Sequence, residues 1–346
     1  MQISAQAKRP TAIIFDSAMG QRPDDPLALA LLYGLDGKSE ARVAAISVSK
    51  SNLNSAALTE TIGRFYSGTV SAAFMSVGRT LPVGMSISGI LPDDTPMLTV
   101  PLSRKNADGK LLYEHGIHSL VDTADAVAVT RNALTAQVDQ SVVIVLTGPA
   151  TNLAQMLMLP GAKELVRAKV RQLVIAVDAS WKADPAASRK LFEEWPTAIV
   201  AVGEEAEQGL LFPASSLEKD FAWSPAHPVV DAYRAFRLES FDGPTAALAA
   251  ALFAVRPDPK FFHLSKPGNM SVASDGSVHF SEAAGGKVSR LILDPTQKSE
   301  VLQTYIELAS AKPVVRAPRI PRAVAAAAAA KLAAEEEAAK ALPPKP

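Results

Sequence analysis

A chain of 346 residues that is 48% hydrophobic and 20% charged can bury a large core, and its length suits one large α/β domain or two ordinary ones. Lys and Arg total 35 and Asp and Glu total 35, so no global field draws the protein toward nucleic acid or anionic lipid, and a small neutral ligand is the easier partner. There is no cysteine, which removes disulfides, thiolate nucleophiles, zinc–thiolate sites and iron–sulfur ligation together.

The chain opens with MQISAQAKRP, and the first apolar run, TAIIF, is too short for a signal-peptide core or a membrane span. A soluble protein is expected, cytoplasmic unless a leader precedes this sequence. Residues 1–10 read as an extension and 11–311 as the folded domain. Short β-branched runs then alternate with helix-period segments, the pattern of an α/β fold with a mainly parallel open sheet flanked by helices. Ala12–Phe15 is a buried strand, Asp25–Leu35 a helix, Val43–Val48 a strand and Asn54–Tyr66 a helix. Further strands are expected at Ala73–Val77, Val142–Leu146, Gln172–Val177 and Ala198–Val202, with helices at Thr123–Gln137, Thr151–Met158 and Pro185–Glu194. Asp184 is the N-cap of the last and Pro185 its first residue.

Leu81–Gly116 is rich in Pro, Gly, Ser and Asp and reads as an excursion over the top of the sheet. An alanine-rich helix at Thr245–Val255, strands at Val278–Ser281 and Val288–Leu293, and a helix near Ser299–Ala309 close the layer. Gly285-Gly286-Lys287 lacks the rest of a phosphate loop and is a turn. From Lys312 the composition turns to Pro, Arg, Ala, Glu and Lys, with too few large apolar residues to fold alone, so 312–346 is expected to be a solvated tail.

Ligands of open parallel sheets bind beyond the carboxyl ends of the strands, where helix N-termini point outward. The first strand runs into Asp16-Ser17-Ala18-Met19-Gly20-Gln21-Arg22-Pro23-Asp24-Asp25 and then straight into a helix. One aspartate is enough to cap that helix. Three carboxylates at one turn require a cation or a proton.

These residues resemble the inosine/uridine-preferring nucleoside hydrolase family, whose first strand ends in Asp-x-Asp-x-Gly before an Asp-Asp pair at a helix start. Asp16, Gly20, Asp24 and Asp25 match, with extra residues between the glycine and the pair. The resemblance continues in order through the strand end leading to Asn52, through Thr147-Gly148-Pro149-Ala150-Thr151-Asn152, through Ala183-Asp184-Pro185-Ala186-Ala187, and through Phe241-Asp242-Gly243-Pro244 with its alanine-rich helix. It spans roughly Thr11 to Ala309. It implies hydrolysis of the N-glycosidic bond of a ribonucleoside by a water held on Ca²⁺, an ion that takes six to eight oxygens. By the same resemblance Asp25, Asp242, the Thr147 carbonyl and Asp16 would hold the ion. Asp24 and Asn52 would bind ribose, and a ribonucleoside or sugar-like ligand would be the partner, in a monomer or a homo-oligomer.

Three positions depart from the family pattern. Ala18 stands where the second aspartate, a metal ligand and proton acceptor, should be, and losing a general base costs about 10²–10⁴-fold in rate. Between strand and Asp-Pro helix only Asp178-Ala179-Ser180-Trp181-Lys182-Ala183 remains of a longer sugar-gripping loop. Phe241 replaces a histidine found in many relatives. Two readings follow. Either the site is rebuilt, with Asp16, Asp24 or Asp178 as base and Asp178 and Trp181 against the substrate, or hydrolysis is lost and a pocket for a sugar-like ligand remains. An interaction protein acting through the tail is a third class, supported by composition alone. His115 and His118, three residues apart in a glycine-containing loop, are a weak zinc signal, and Trp195, before a proline, belongs to the core.

Overall fold

The computed structural model describes residues 9–67, 81–203 and 209–314. The strand expected at Ala73–Val77, and the tail beyond Val314, lie outside the described residues. Among them eleven strands form a single sheet. β1 (Thr11–Ser17) runs parallel to β2 (Ala41–Val48) on one side and to β5 (Val142–Leu146) on the other. Beyond β2 come β3 (Val83–Met85) and β4 (Ala124–Asp125). Beyond β5 come β6 (Val170–Ala176), β7 (Ala198–Val202) and β11 (Val288–Ile292), all parallel. The far edge is antiparallel, where β9 (Gly268–Val272) pairs with β10 (Val278–Glu282) and β8 (His263–Leu264) pairs with β11.

Side chains alternate along a strand, and both faces of the central strands are apolar, so the sheet must be covered twice. Ile13 and Phe15 of β1, Val143 and Val145 of β5, and Val200 and Val202 of β7 face one helix layer. That layer contains α1 (Asp24–Gly37), α2 (Leu53–Ser67), α3 (Pro96–Ser103), the alanine-rich helix Ala246–Val255 and the C-terminal helix Lys298–Ala309. Ala12, Ile14, Ile144 and Ile199 face the other, made by α4 (Ala126–Thr135), α5 (Thr151–Leu157), α6 (Ala162–Lys169) and α7 (Pro185–Glu194). Ala246–Val255 is buried on every side, so its small alanines let α1 and the sheet approach it closely.

Two expectations are corrected, and two strands are additional. Leu81–Gly116 is more than an excursion, because its Val83–Met85 extends the sheet beside β2 and its Pro96–Ser103 is helical. The helix expected from Thr123 starts at Ala126, after Ala124–Asp125 has paired with β3 and Asp125 has capped α4 by accepting from the Ala128 N–H. β8 and β9 went unpredicted, since their largely exposed edge sequences carry no apolar run. No helix among the described residues is long and apolar enough to cross a membrane.

Candidate functional site

The parity of β1 sets the site. Asp16 points to the same face as Ile14, toward α5, while its register partner across the parallel ladder is Ser47 at the end of β2. Its Oδ2 therefore accepts from the Ser47 hydroxyl at 2.9 Å and from Asn152 Nδ2, on the first turn of α5, at 2.9 Å. Its Oδ1 is buried without a partner. Burial, only partly offset by those two hydrogen bonds, pushes the Asp16 carboxyl up to about 6. The Thr147 N–H at the end of β5 donates to the Asp16 carbonyl at 2.8 Å, tying the two strand ends together. Gly148 is required next to it, because a Cβ there would lie 2.6 Å from the Ala18 nitrogen.

After β1 the chain turns at Gly20, whose φ of +93° suits glycine alone, and re-enters the interior at α1. Asp24 and Asp25 are both fully buried. Asp24 is hydrogen-bonded on both oxygens. Arg22 Nε donates to its Oδ1 at 2.8 Å and Nη2 to its Oδ2 at 3.0 Å, and the Ala247 N–H at the start of the alanine-rich helix donates to Oδ2 at 2.8 Å. A carboxylate at that helix N-terminus is favoured by the aligned peptide dipoles. Asp25 has no hydrogen-bond partner on either oxygen, and neither has the Thr147 hydroxyl beside it. Burial foremost, then the charge of Asp24, holds the Asp25 carboxyl well above the usual carboxylate range, against the pull of Arg22 and Thr147. Arg22 also reaches Asp178, with Nη1 3.4 Å from Oδ2. Asp178 itself caps the turn Ala179–Ala183 through the Ser180 N–H at 2.9 Å.

The structure gathers Asp16, Asp24, Asp25, Thr147 and Asp178 and leaves three predicted residues, Asp242, Trp181 and Asn52, outside that group. Asp242 is exposed and accepts from the Ala214 N–H at 2.8 Å, so it caps a different helix, Ala214–Lys219. Trp181 does not line a pocket. It is fully buried, donates Nε1–H to the Ala176 carbonyl at 3.2 Å and stacks on Phe192 of α7, because shortening the loop pulls the indole into the core. Trp195 is buried as expected.

Asn52 stands beside an open cavity of about 600 Å³ at the end of β2, shared with Asn54, Asp94, His115 and His118. Its amide donates to Asp94 at 2.8 Å and to the Pro92 carbonyl at 2.9 Å, while its Oδ1 accepts from the Ser55 N–H at 2.9 Å. The imidazoles of His115 and His118 are 4.7 Å apart, and His115 Nδ1 is 2.9 Å from the Ile117 carbonyl. Sequence reasoning passed over two cations. Arg22 is one; its signal was a positive residue two places before an acidic pair. Lys50 is the other, buried at 1% exposure just past β2, its ammonium lowered by burial and held up by Asp93 and Asp94.

The expected calcium set is incomplete among the side chains present. Calcium takes six to eight oxygens, and the unpartnered buried side-chain oxygens here are both of Asp25, Asp16 Oδ1, Asn152 Oδ1 and the hydroxyls of Thr147 and Ser17. Position 18 offers a methyl group, Asp242 faces solvent, and among the described residues no three His, Asp or Glu side chains meet in a metal-holding group.

No known sequence family and no curated protein sequence matches this chain. Solved structures do. An inosine-uridine preferring nucleoside hydrolase from Bacillus anthracis superposes with a TM-score of 0.61 at 15% identity, over 86% of this chain and 99% of that one. The plant nucleoside hydrolase PpNRh1 gives 0.60 at 18%, over 87% and 99%. The type III effector protein XopQ, complexed with adenosine diphosphate ribose, gives 0.58 at 14%, over 88% and 94%. The chain thus has the nucleoside hydrolase fold, and the resemblance read from its motifs is borne out at the level of the fold.

Proposed function

We propose that this protein binds a ribonucleoside or another ribose-bearing ligand at the carboxyl edge of its sheet and does not hydrolyse the N-glycosidic bond. The observation that carries this reading is the state of the two groups the chemistry needs most. The position of the expected proton acceptor is Ala18, buried at 1% exposure, and Asp24, expected on the sugar, has both oxygens engaged by Arg22. The cavity beside Asn52 is within the range of small-molecule sites and offers amide, carboxylate and imidazole groups to sugar hydroxyls and a base. That an effector of the same fold was obtained with adenosine diphosphate ribose supports a ribosyl ligand. Calorimetry and thermal shift with inosine, uridine and adenosine diphosphate ribose test it. At least one of the three should stabilise the protein, and His118→Ala, which removes an imidazole lining the cavity, should weaken that ligand by about tenfold, the equivalent of one lost hydrogen bond. No stabilisation by any of the three sinks the reading.

One observation favours a second reading in which hydrolysis survives. Asp16 has a value near 6 and an Oδ1 without a partner, the state wanted in a general base at neutral pH. In that case Asp16 takes the proton of the attacking water, and Asp16→Asn abolishes a base release that the wild type shows.

A further inference from the structure

The carboxylate that meets the open cavity is not one of the three that follow β1. Asp94, on the connection between β3 and α3, is exposed and is the one carboxylate among the described residues lining that cavity. Asp24, expected on the sugar, is fully buried with both oxygens held by Arg22. We propose that Asp94 is the sugar-binding carboxylate of this protein, accepting a ribose hydroxyl of the ligand. The assignment rests on the ribosyl reading above and adds to it the group that selects for the hydroxyl.

The acceptor count of Asp94 leaves room for one more donor. A carboxylate offers about four lone-pair positions. Asn52 Nδ2 donates to Oδ1 at 2.8 Å, and Asn54 Nδ2 lies 3.0 Å from both oxygens, so Oδ1 is doubly engaged and Oδ2 singly. The open position is therefore on Oδ2. Asn52 has less to offer a ligand. Its amide donates to Asp94 and to the Pro92 carbonyl, and its Oδ1 caps α2 by accepting from the Ser55 N–H. The two asparagines orient Asp94, and Asp94 meets the sugar.

The loop that carries Asp94 is fixed before a ligand arrives. The Ser51 N–H donates to the Ile90 carbonyl at 2.8 Å, the Gly89 N–H to the Ser51 hydroxyl at 2.9 Å, and the Thr95 hydroxyl to the Gly20 carbonyl at 2.8 Å. The buried Lys50 adds a positive charge that attracts Asp93 and Asp94. A group ordered in advance spares the complex the entropy cost of ordering it on binding. A hydroxyl also donates more strongly to an ionised acceptor than to a neutral one. Leu53, Met85 and Ile117 give the same cavity an apolar wall for a base. The family resemblance assigns the sugar to residues that follow β1 and β2, and here the connection after β3 takes that part.

Calorimetry on the full-length chain tests it, using whichever of inosine, uridine and adenosine diphosphate ribose binds most tightly, together with 2′-deoxy and 3′-deoxy forms of each ribose it carries. The wild type should bind one of the deoxy forms about tenfold or more weakly than the parent, the scale of a hydrogen bond to a charged group. In Asp94→Ala the parent ligand should weaken by a similar factor, and the gap between parent and deoxy form should close to within about twofold. A loop that was merely displaced would weaken both ligands and keep the gap. Should Asp94→Ala not fold, Asp94→Asn is measured in its place. A hydroxyl preference that survives in the variant, or a wild type indifferent to every deoxy form, overturns the assignment and leaves the ribosyl reading standing. Binding by none of the three parent ligands ends both.

Discussion

Asp16 is wholly buried, with two hydrogen bonds on one oxygen and none on the other. The imbalance has a pH signature. A carboxyl raised from 3.8 to about 6 on folding holds its proton more tightly in the native state than in the unfolded chain. Its contribution to stability is therefore fullest below the unfolded value, falls as pH rises through the interval between the two, and stays low above it. Asp25, shifted in the same direction, adds to the trend. Asp16→Asn removes one titrating group while keeping an acceptor for Ser47 and Asn152. Denaturant unfolding of variant and wild type should show the variant gaining, relative to wild type, up to about 3 kcal/mol between pH 4 and 7. A difference that stays flat across that range contradicts the assignment. At this scale the sequence showed that Asp16, Asp24 and Asp25 share a turn, because all three sit between a strand and a helix start. It could not show that Arg22 pairs with Asp24, since that depends on how Gly20 and Pro23 aim the chain. Trp181 was misplaced for a related reason: a short loop looks like a pocket wall until the helix it leads into is packed.

Secondary structure was the most legible layer, and physical reasons separate what was read from what was missed. β5, β7 and α7 were placed at their observed ends, because β-branched runs and an Asp-Pro helix start carry their signal locally. β3 escaped because three residues show no periodicity; only the neighbouring edge of β2 makes Val83–Met85 a strand. Asp184 joins two elements, accepting from the Ala187 N–H at 3.0 Å within α7 and from the Thr151 hydroxyl of α5 at 2.7 Å. Asp184→Ala removes both and should cost about 1–2 kcal/mol in denaturant unfolding at neutral pH. An unchanged midpoint would mean that the cap is replaced by water.

Across the whole molecule, the central parallel strands deliver Asp16, Thr147 and Asp178 to one edge, and the connections after β1 and β2 bring Asp24, Asp25 and Asn52 to the same edge. That edge is where this sheet class binds ligands, and here it holds an arginine-bridged acidic cluster and, lined by other residues, an open cavity with Asn52, Asp94 and two histidines. The architecture is that of the nucleoside hydrolases; position 18 carries an alanine and Asp24 is engaged by Arg22, while Asp16 Oδ1 and both oxygens of Asp25 have no partner. The most direct test is prolonged incubation of the pure protein with inosine, uridine and adenosine, with and without CaCl₂, followed by chromatography for free base. The account predicts no base above the protein-free control from any of the three. Base release that scales with protein concentration and is lost in Asp16→Asn would contradict it.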